Sequence, residues 1–193
     1  MSSNTKPIAV IIISGPSGSG KTSITKEILE RLRDKIMFSV SYTTRRKRKG
    51  EKDGREYYFI SKGEFQQMIE KDEFLEWNSI YGEFYGTPKK NLDKAIMSGK
   101  ILLMEIDVDG AKKVREKCRE MGIQVCSIFI SPPKIETLRE RLKKRSDTCD
   151  IEERMKRVEK ESKQSKEFDF VVVNDNLKMA QDYTENIIRK FIE

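Results

Sequence analysis

Residues 8–14 (IAVIIIS) run directly into Gly15-Pro16-Ser17-Gly18-Ser19-Gly20-Lys21-Thr22. The first seven residues are apolar almost throughout, which is typical of a parallel strand buried on both faces. Ile24, Ile28 and Leu32 follow at helical spacing. The segment between this strand and this helix fits the pattern G-x-x-x-x-G-K-[ST], in which glycines let backbone N–H groups turn inward around phosphate oxygens. We therefore expect a phosphate-binding loop over residues 15–22, at the start of a helix.

The last two residues of that loop carry its chemistry. A lysine at the position of Lys21 brings a cation to the β- and γ-phosphates of a nucleotide, and a hydroxyl at the position of Thr22 is a ligand for Mg²⁺. Such a loop is found in ATPases, GTPases and kinases alike. It predicts nucleotide binding without choosing among these activities.

Strands and helices alternate along the rest of the chain. Further strands are predicted at 37–41, 101–106, 125–130 and 170–173. The helices between them carry apolar stripes, among them Ala111, Val114, Cys118 and Met121, and then Ala180, Tyr183, Ile187, Ile188 and Phe191. This order predicts an α/β fold, with a parallel five-stranded sheet and helices on both of its faces.

Two segments interrupt the alternation. Residues 42–95 are richer in Tyr, Phe, Gly and charge, and are predicted to form an inserted subdomain. Residues 144–156 are almost wholly polar and are predicted to form a mobile lid. The core of a single domain, residues 1–193, would then comprise 1–41, 96–143 and 157–193.

Net charge and hydropathy limit the classes of partner. The formal charge of +7 favours an anionic partner, which leaves nucleic acid, a membrane surface and a nucleotide open. The longest apolar run, residues 8–13, is far too short to cross a bilayer. Residues 1–7 are polar and lack the features of a secretory signal. We expect a cytoplasmic protein.

Cysteine and histidine usage excludes several kinds of site. The chain has no histidine and three irregularly spaced cysteines, Cys118, Cys126 and Cys149. A Cys/His zinc site is therefore impossible, and a zinc site made of cysteines alone would lack its fourth thiolate. Ser-His and Cys-His catalysis are excluded as well. Reduced thiols that serve as small apolar residues are the expectation.

Several further motifs lie between residues 39 and 175, outside the phosphate-binding loop. They are Ser39-Val40-Ser41-Tyr42-Thr43-Thr44-Arg45 followed by Arg48, Gly50, Glu51, Gly54 and Tyr57; Glu73-Phe74-Leu75-Glu76-Trp77; Tyr85-Gly86-Thr87; Glu105-Ile106-Asp107-Val108-Asp109-Gly110; and Val173-Asn174-Asp175. In their order and spacing they resemble the signatures of the guanylate kinase family, over nearly the whole chain. The resemblance implies a P-loop NTPase fold with a GMP-binding subdomain and a lid. It also implies an ATP:GMP phosphotransferase that needs Mg²⁺ and accepts GMP and dGMP.

The resemblance assigns a role to each motif. The phosphate of GMP would be bound by Ser41, Arg45, Arg48, Tyr57 and Tyr85. The guanine would be bound by Glu76 and Thr87, with Asp107 as a further acceptor. Residues 15–22 would bind the phosphates of ATP, and Asn174 would lie near its adenine. These residue types suit GMP, because guanidinium groups match a phosphate and a carboxylate matches the two adjacent N–H donors of guanine.

The resemblance also implies which residues take part in phosphoryl transfer. Lys21, Arg45, Arg145 and Arg154 would stabilise charge on the transferring group, with Thr22 on Mg²⁺ and Glu105 or Asp107 acting on the ion through water. The lid is shorter than the family usually has and lacks its glycine, so Arg141 or Arg157 could take the place of a lid arginine. Asp109 stands where glutamine is commoner. No general base is needed, because the second pKa of a phosphate monoester is about 6.

Three other interpretations of these residues are less consistent with the sequence. The basic cluster at 45–49 could be a nucleic-acid patch, but its flanking Ser-Thr-Thr and Gly-Glu argue for a GMP site. A catalytically dead module that binds phosphopeptides would typically have lost the lysine at position 21. A P-loop kinase with another acceptor would not need Arg45, Arg48 and Glu76 together. We expect small-molecule partners, with neither nucleic acid nor membrane. Monomer and homo-oligomer stay open.

Overall fold

The computed structural model describes residues 9–134, 136, 138–139 and 151–193. Its strands are β1 Ala9–Ser14, β2 Ile36–Phe38, β3 Ser41–Thr43, β4 Tyr57–Phe59, β5 Phe74–Ile80, β6 Glu83–Pro88, β7 Ile101–Glu105, β8 Gln124–Ser131 and β9 Phe170–Val173. Its helices are α1 Lys21–Arg31, α2 Lys62–Glu70, α3 Lys89–Ser98, α4 Val108–Glu120, α5 Ile151–Lys163 and α6 Leu177–Ile192. A short 3₁₀ helix, Gln164–Glu167, follows α5.

Five of these strands form a parallel sheet in the order β2-β7-β1-β8-β9. All six residues of β1 are buried, as expected for the central strand of a sheet that is covered on both faces. The predicted P-loop NTPase architecture, with one five-stranded parallel sheet, is confirmed.

Alternation along β1 divides the core into two halves. Ile11 and Ile13 pack with apolar residues of α1 and α6. Val10 and Ile12 point the other way and pack with α3 and α4. Because successive side chains of a strand point to opposite faces, helices cover both faces of the sheet, as predicted.

A second sheet is inserted between β2 and α3, in the order β4-β3-β6-β5. Pairing is parallel between β3 and β4, and antiparallel in the other two pairs. Its packing is aromatic, since Phe65 of α2 stacks on Phe74 and Phe84 with ring centroids 4.5 and 5.3 Å apart. Gly86 leaves room for these rings, because a Cβ there would lie 2.7 Å from the Phe74 ring. This small sheet carries most of the candidate acceptor residues.

The chain crosses from the large sheet to the small one where a single strand, 37–41, was predicted. That prediction was wrong, because β2 ends at Phe38 and β3 begins at Ser41 in the other sheet. The crossing is fixed by Asn91 of α3, whose Nδ2 donates to Ser39 Oγ and to the Val40 carbonyl, both at 3.0 Å. One buried amide therefore ties the start of α3 to the crossing between the two sheets.

The predicted apolar stripes are wrong at two residues. Met121 and Tyr183 were assigned to buried stripes but are 57% and 54% exposed, since Met121 lies beyond the end of α4 and Tyr183 faces outward from α6. Of the predicted lid, 144–150 lies outside the described residues. Residues 151–156 are the first turns of α5, which packs Met155 and Val158 against Leu138.

Cys118 and Cys126 are buried free thiols, whereas Cys149 lies outside the described residues.

Over the described ranges, no helix is both long enough and apolar enough to cross a membrane.

Candidate active site

A cavity of about 1720 Å³ opens between the carboxyl end of the large sheet and the small sheet. Its walls include Gly15, Ser17, Gly18, Gly20, Lys21, Thr22 and Asp107 on the side of the large sheet, and Ser41, Arg45, Arg48, Tyr57, Glu76 and Tyr85 on the other. Ligands of open α/β sheets bind outside the carboxyl ends of the strands, which is where this cavity lies. One cleft thus brings together most of the residues that the sequence singled out.

The loop between β1 and α1 has a shape that only glycine allows at two positions. Gly15 has φ of +134°, and a Cβ there would lie 2.3 Å from the carbonyl oxygen of Ile130. Gly20 has φ of +96°, and its Cβ would lie 2.2 Å from Nδ2 of Asn174. The left-handed backbone and the close neighbours both exclude larger residues. The two glycines of the motif therefore determine the path of the loop.

Lys21 begins α1 and its ammonium group turns back into the loop. Its Nζ donates to the carbonyl oxygens of Gly15 at 2.5 Å and of Pro16 at 3.0 Å. The cation therefore lies where the loop curls around an anion in other proteins with this motif.

Thr22 Oγ1 donates to Oε1 of Glu105 at 2.8 Å, at the end of β7. A hydroxyl and a carboxylate together are a fitting donor set for Mg²⁺, which prefers oxygen ligands. Among the described residues, no cluster of three or more His, Cys, Asp or Glu side chains could hold a metal ion. Mg²⁺ in sites that bind nucleotides usually takes further ligands from the phosphates and from water.

Glu51 organises the arginines of the opposite wall. Its two carboxylate oxygens accept from Arg45 Nη1 at 2.8 Å and Nη2 at 2.6 Å, and Oε2 also accepts from the backbone N–H of Arg48 at 2.8 Å. Burial opposes the charged form of Glu51, but these hydrogen bonds hold its pKa below the usual value. The Arg45 guanidinium also lies 5.1 Å from the ring centroid of Tyr57, within cation–π distance.

Glu51 is a residue whose role the sequence analysis missed. The signal was present, because Glu51 belongs to the quoted motif at a fixed distance from both arginines. Tyr57 and Tyr85 lie edge to face beside this pair, with centroids 5.9 Å apart. Burial raises the pKa of Tyr85, so its hydroxyl keeps its proton and can act as a donor.

The carboxylate of Glu76 lies deeper, on β5. It accepts from Thr87 Oγ1 at 2.7 Å, and the Thr87 hydroxyl lies 3.3 Å from that of Ser41. Burial, opposed by the Thr87 hydrogen bond and aided by the charge of Asp107, raises the pKa of Glu76 to about 7. A buried acceptor with one hydroxyl partner is suited to bind N–H donors of a ligand. Thr87 is fully buried and is not on the wall of the cavity.

Asp107 lies at the start of α4. Its Oδ1 accepts from the backbone N–H groups of Asp109 at 3.0 Å and Gly110 at 3.1 Å, and so caps the helix. The same oxygen accepts from Asn78 Nδ2 at 3.2 Å and lies 3.6 Å from Arg157 Nη2. Asp107 thus reaches the cleft from the large sheet, whereas Glu76 reaches it from the small one.

Two arginines of α5 line the cavity from a third side. Arg154 and Arg157 lie 5.7 and 5.8 Å from the ring centroid of Tyr81, at the turn between β5 and β6. Arg157 Nε donates to Glu161 at 2.6 Å. Neither Tyr81 nor Glu161 was singled out from the sequence, since neither belongs to a quoted motif. Arg145 and Arg141 lie outside the described residues.

Asn174 follows β9 and lies behind the phosphate-binding loop. It is buried, and its Nδ2 donates to the carbonyl oxygen of Ser19 at 2.7 Å. It is not on the wall of the cavity, so the contact seen is with the loop backbone. Its expected place near an adenine stays a prediction.

Comparison with known proteins gives consistent matches. The family model for guanylate kinase matches residues 7–191. Guanylate kinases of Campylobacter jejuni (strain RM1221) and Thermotoga maritima are 40% and 42% identical to the chain over 181 and 182 residues; each match covers 93% of this chain and 87% or 86% of the relative. The crystal structure of guanylate kinase from Anaplasma phagocytophilum is similar with a TM-score of 0.78 and 34% identity, over 96% of this chain and 86% of that one.

Proposed function

The chain belongs to the guanylate kinase family and transfers the terminal phosphoryl group of ATP to GMP, and from this premise we propose how its residues divide the task. One observation carries the proposal. Cationic side chains from two different sheets, Lys21 on one side and Arg45 with Arg48 on the other, line the same cavity. ATP would occupy the side of Lys21, and GMP the side of the arginines.

For GMP, the proposed phosphate ligands are Ser41, Arg45, Arg48, Tyr57 and Tyr85. Glu76 would accept from N1–H and the N2 amino group of guanine, with Thr87 and Asp107 beside it. Adenine has no proton on N1, so AMP would leave the buried Glu76 without a donor, which is a strong basis for discrimination. None of these contacts uses the 2′-hydroxyl, and we propose that dGMP is accepted too.

For ATP, residues 15–22 would surround the phosphates with backbone N–H groups, and Lys21 would reach the β- and γ-phosphates. Asn174 would act through its hydrogen bond to Ser19, which supports the loop next to Gly20. Thr22 would be a ligand of Mg²⁺, with Glu105 or Asp107 acting through water. The ion, when bound, neutralises charge on the nucleotide phosphates.

Transfer itself requires positioning more than acid–base chemistry. An oxygen of the GMP phosphate attacks the γ-phosphorus of ATP, a new P–O bond forms, and the bond to the oxygen that leaves with ADP breaks. The attacking oxygen is already deprotonated near neutral pH. Lys21, Arg45, Arg145 and Arg154 would stabilise the transferring charge, and Arg157 or Arg141 could take the place of a lid arginine.

We further propose the division into a core (1–41, 96–143 and 157–193), a GMP-binding subdomain (42–95) and a lid (144–156). Movement of the last two over the core would exclude water, which would otherwise hydrolyse ATP. Because ATP and GMP are metabolites of the cytoplasm, we propose that location for the enzyme.

An ADP-release assay with ATP and Mg²⁺ tests the proposal, with GMP, dGMP, AMP, CMP and UMP offered in parallel. We expect rapid ADP release with GMP and dGMP alone. Lys21→Ala should abolish turnover while leaving the far-UV circular dichroism spectrum unchanged. Near-normal activity of this variant, or release that is equally fast with AMP, would contradict the proposed roles.

A further inference from the structure

Strand β5 of the small sheet lies along helix α4 of the core, and two lysines of that helix bind its backbone. Lys117 Nζ donates to the carbonyl oxygen of Leu75 at 2.6 Å, and Lys113 Nζ donates to that of Trp77 at 2.7 Å. These two carbonyl groups flank Glu76, the carboxylate of the acceptor site. A charged donor on a backbone carbonyl forms a stronger hydrogen bond than a neutral one.

The lysines bind carbonyl groups of a strand at the edge of the small sheet. β5 is an edge strand, because the order of the small sheet is β4-β3-β6-β5. The pairing of β5 with β6 shifts register between Phe74 and Glu76, so Leu75 lies at an irregularity of the strand. Edge groups of this kind need partners from elsewhere in the fold. Here α4 supplies the partners.

The face of α4 that meets β5 is continuous. Gly110, Lys113 and Lys117 are three and four residues apart, which places them on one side of the helix. Gly110 allows the closest approach, since a Cβ there would lie 2.9 Å from Oε2 of Glu76. Beyond Trp77, Asn78 Nδ2 donates to Oδ1 of Asp107, the cap of the same helix. Polar contacts thus hold β5 to α4 on both sides of Glu76.

We propose that Lys113 and Lys117 are positioning residues for recognition of the acceptor base. They fasten edge strand β5 to α4 and so hold Glu76, from the small sheet, at a fixed distance from Asp107, from the large one. This inference rests on the proposed role of Glu76 as a guanine ligand. Neither lysine touches a reacting atom, so its loss should change which acceptor binds and how tightly, rather than the transfer step.

The test compares the double variant Lys113→Met/Lys117→Met with wild type in steady-state assays. Methionine keeps the length of the side chain and the helix propensity while removing the charged donor. KM for GMP should rise about tenfold. The kcat at saturating GMP should stay within about twofold of wild type, and the GMP-over-AMP ratio of kcat/KM should fall. KM for ATP should not change.

Two further variants make this result specific. Lys112→Met removes an exposed lysine next to Lys113 on the same helix, and it should behave as wild type. Lys113→Arg/Lys117→Arg keeps a charged donor at both positions and should retain most of the affinity for GMP. If the double methionine variant does not fold, the two single methionine variants are measured in the same way, with smaller expected rises in KM.

The variant Glu76→Gln, assayed in parallel, separates the proposed guanine contact of Glu76 from the proposed positioning role of the two lysines. If Glu76→Gln loses selectivity for GMP but the double methionine variant keeps a normal KM and ratio, the positioning role is wrong. If the double variant loses kcat and affinity for both substrates alike, the lysines are general structural residues and the proposal is overturned as well. If Glu76→Gln itself keeps normal selectivity, the proposed guanine contact is wrong and the lysine role falls with it.

Discussion

At the scale of single residues, Glu76 shows how a binding site and a stable core make opposite demands. The chain holds its carboxylate beside Thr87 and Asp107, and burial raises its pKa to about 7. A protonated carboxyl offers guanine one acceptor fewer and an unwanted proton. An ionised one binds guanine well but is costly to bury while the site is empty.

Replacing Glu76 by glutamine should therefore stabilise the empty protein at alkaline pH. The folded pKa of about 7 lies above the ordinary value of 4.5, so the folded state binds the proton more tightly and stability is lost as pH rises from 4.5 to 7. At pH 8 the free energy of unfolding of Glu76→Gln should exceed that of wild type by roughly 2–3 kcal/mol. Urea unfolding at pH 8 and pH 5 measures it, and the gap should shrink at pH 5. A gap of equal size at both pH values would contradict the raised pKa.

The same ionisation should appear in binding of GMP. Between pH 6 and pH 8, KM for GMP should fall as Glu76 loses its proton. Because the phosphate of GMP also titrates near pH 6, Glu76→Gln is the matched control, since it keeps the contribution of the phosphate alone. The ratio of the two KM values should change with a midpoint near the raised pKa of Glu76, about 7. A ratio that does not depend on pH would remove Glu76 from the binding equilibrium.

Gly15 is a second residue whose consequences can be tested alone. Its left-handed backbone and the Ile130 carbonyl both oppose a Cβ, so Gly15→Ala should destabilise the protein by about 2–3 kcal/mol. Gly82→Ala is the matched control, because Gly82 has φ of +75° but nothing within 4 Å of the added Cβ. Gly82→Ala should lower the free energy of unfolding by about 1 kcal/mol, because only the left-handed backbone opposes a Cβ at that position. Equal losses in thermal unfolding would show that the close approach to Ile130 has no effect.

At the scale of elements, the segment between β3 and β4 depends on polar contacts for its shape. It bears Arg45 and Arg48, and Glu51 binds the guanidinium of the first and the backbone of the second. The arginines must face the cleft although no helix or strand holds them. The Glu51 carboxylate binds the side chain of Arg45 and the backbone of Arg48, and so holds this segment in place.

Loss of the Glu51 carboxylate should weaken binding of GMP, the phosphoryl acceptor, and leave binding of ATP, the phosphoryl donor, unchanged. Glu51→Gln can no longer pair with Arg45 through two charged hydrogen bonds, and KM for GMP should rise about tenfold with KM for ATP unchanged. Glu73→Gln, at an exposed position of the same inserted region, should leave both KM values as they are. An increase in KM for ATP as large as that for GMP would show that Glu51 supports the whole cleft rather than its arginine wall.

At the scale of the whole molecule, the accuracy of sequence reasoning depended on how local each feature is. The phosphate-binding loop and the core strands β1, β7, β8 and β9 were predictable, because a short motif and buried apolar runs encode them. The division of 37–41 between two sheets was not, since it depends on Asn91, about fifty residues away. The exposure of Tyr183 depends likewise on which face of α6 meets the sheet.

The same distinction applies to the site. Motif residues such as Glu76 and Arg45 were assigned from the sequence through their resemblance to a family. Tyr81, Lys113 and Lys117 were missed, because their partners are the α5 arginines and the carbonyl groups of an edge strand. No pattern along the chain indicates which helix lies beside that edge.

We propose that one cleft binds two anionic nucleotides, one at Lys21 and one at Arg45, Arg48 and Glu76. A crystal structure with GMP, Mg²⁺ and a non-hydrolysable ATP analogue tests it most directly. We predict the GMP phosphate between Arg45 and Arg48, the N1–N2 edge of guanine against Glu76, and the triphosphate around Lys21. GMP bound away from those three side chains, with the ATP analogue in the loop, would contradict the account.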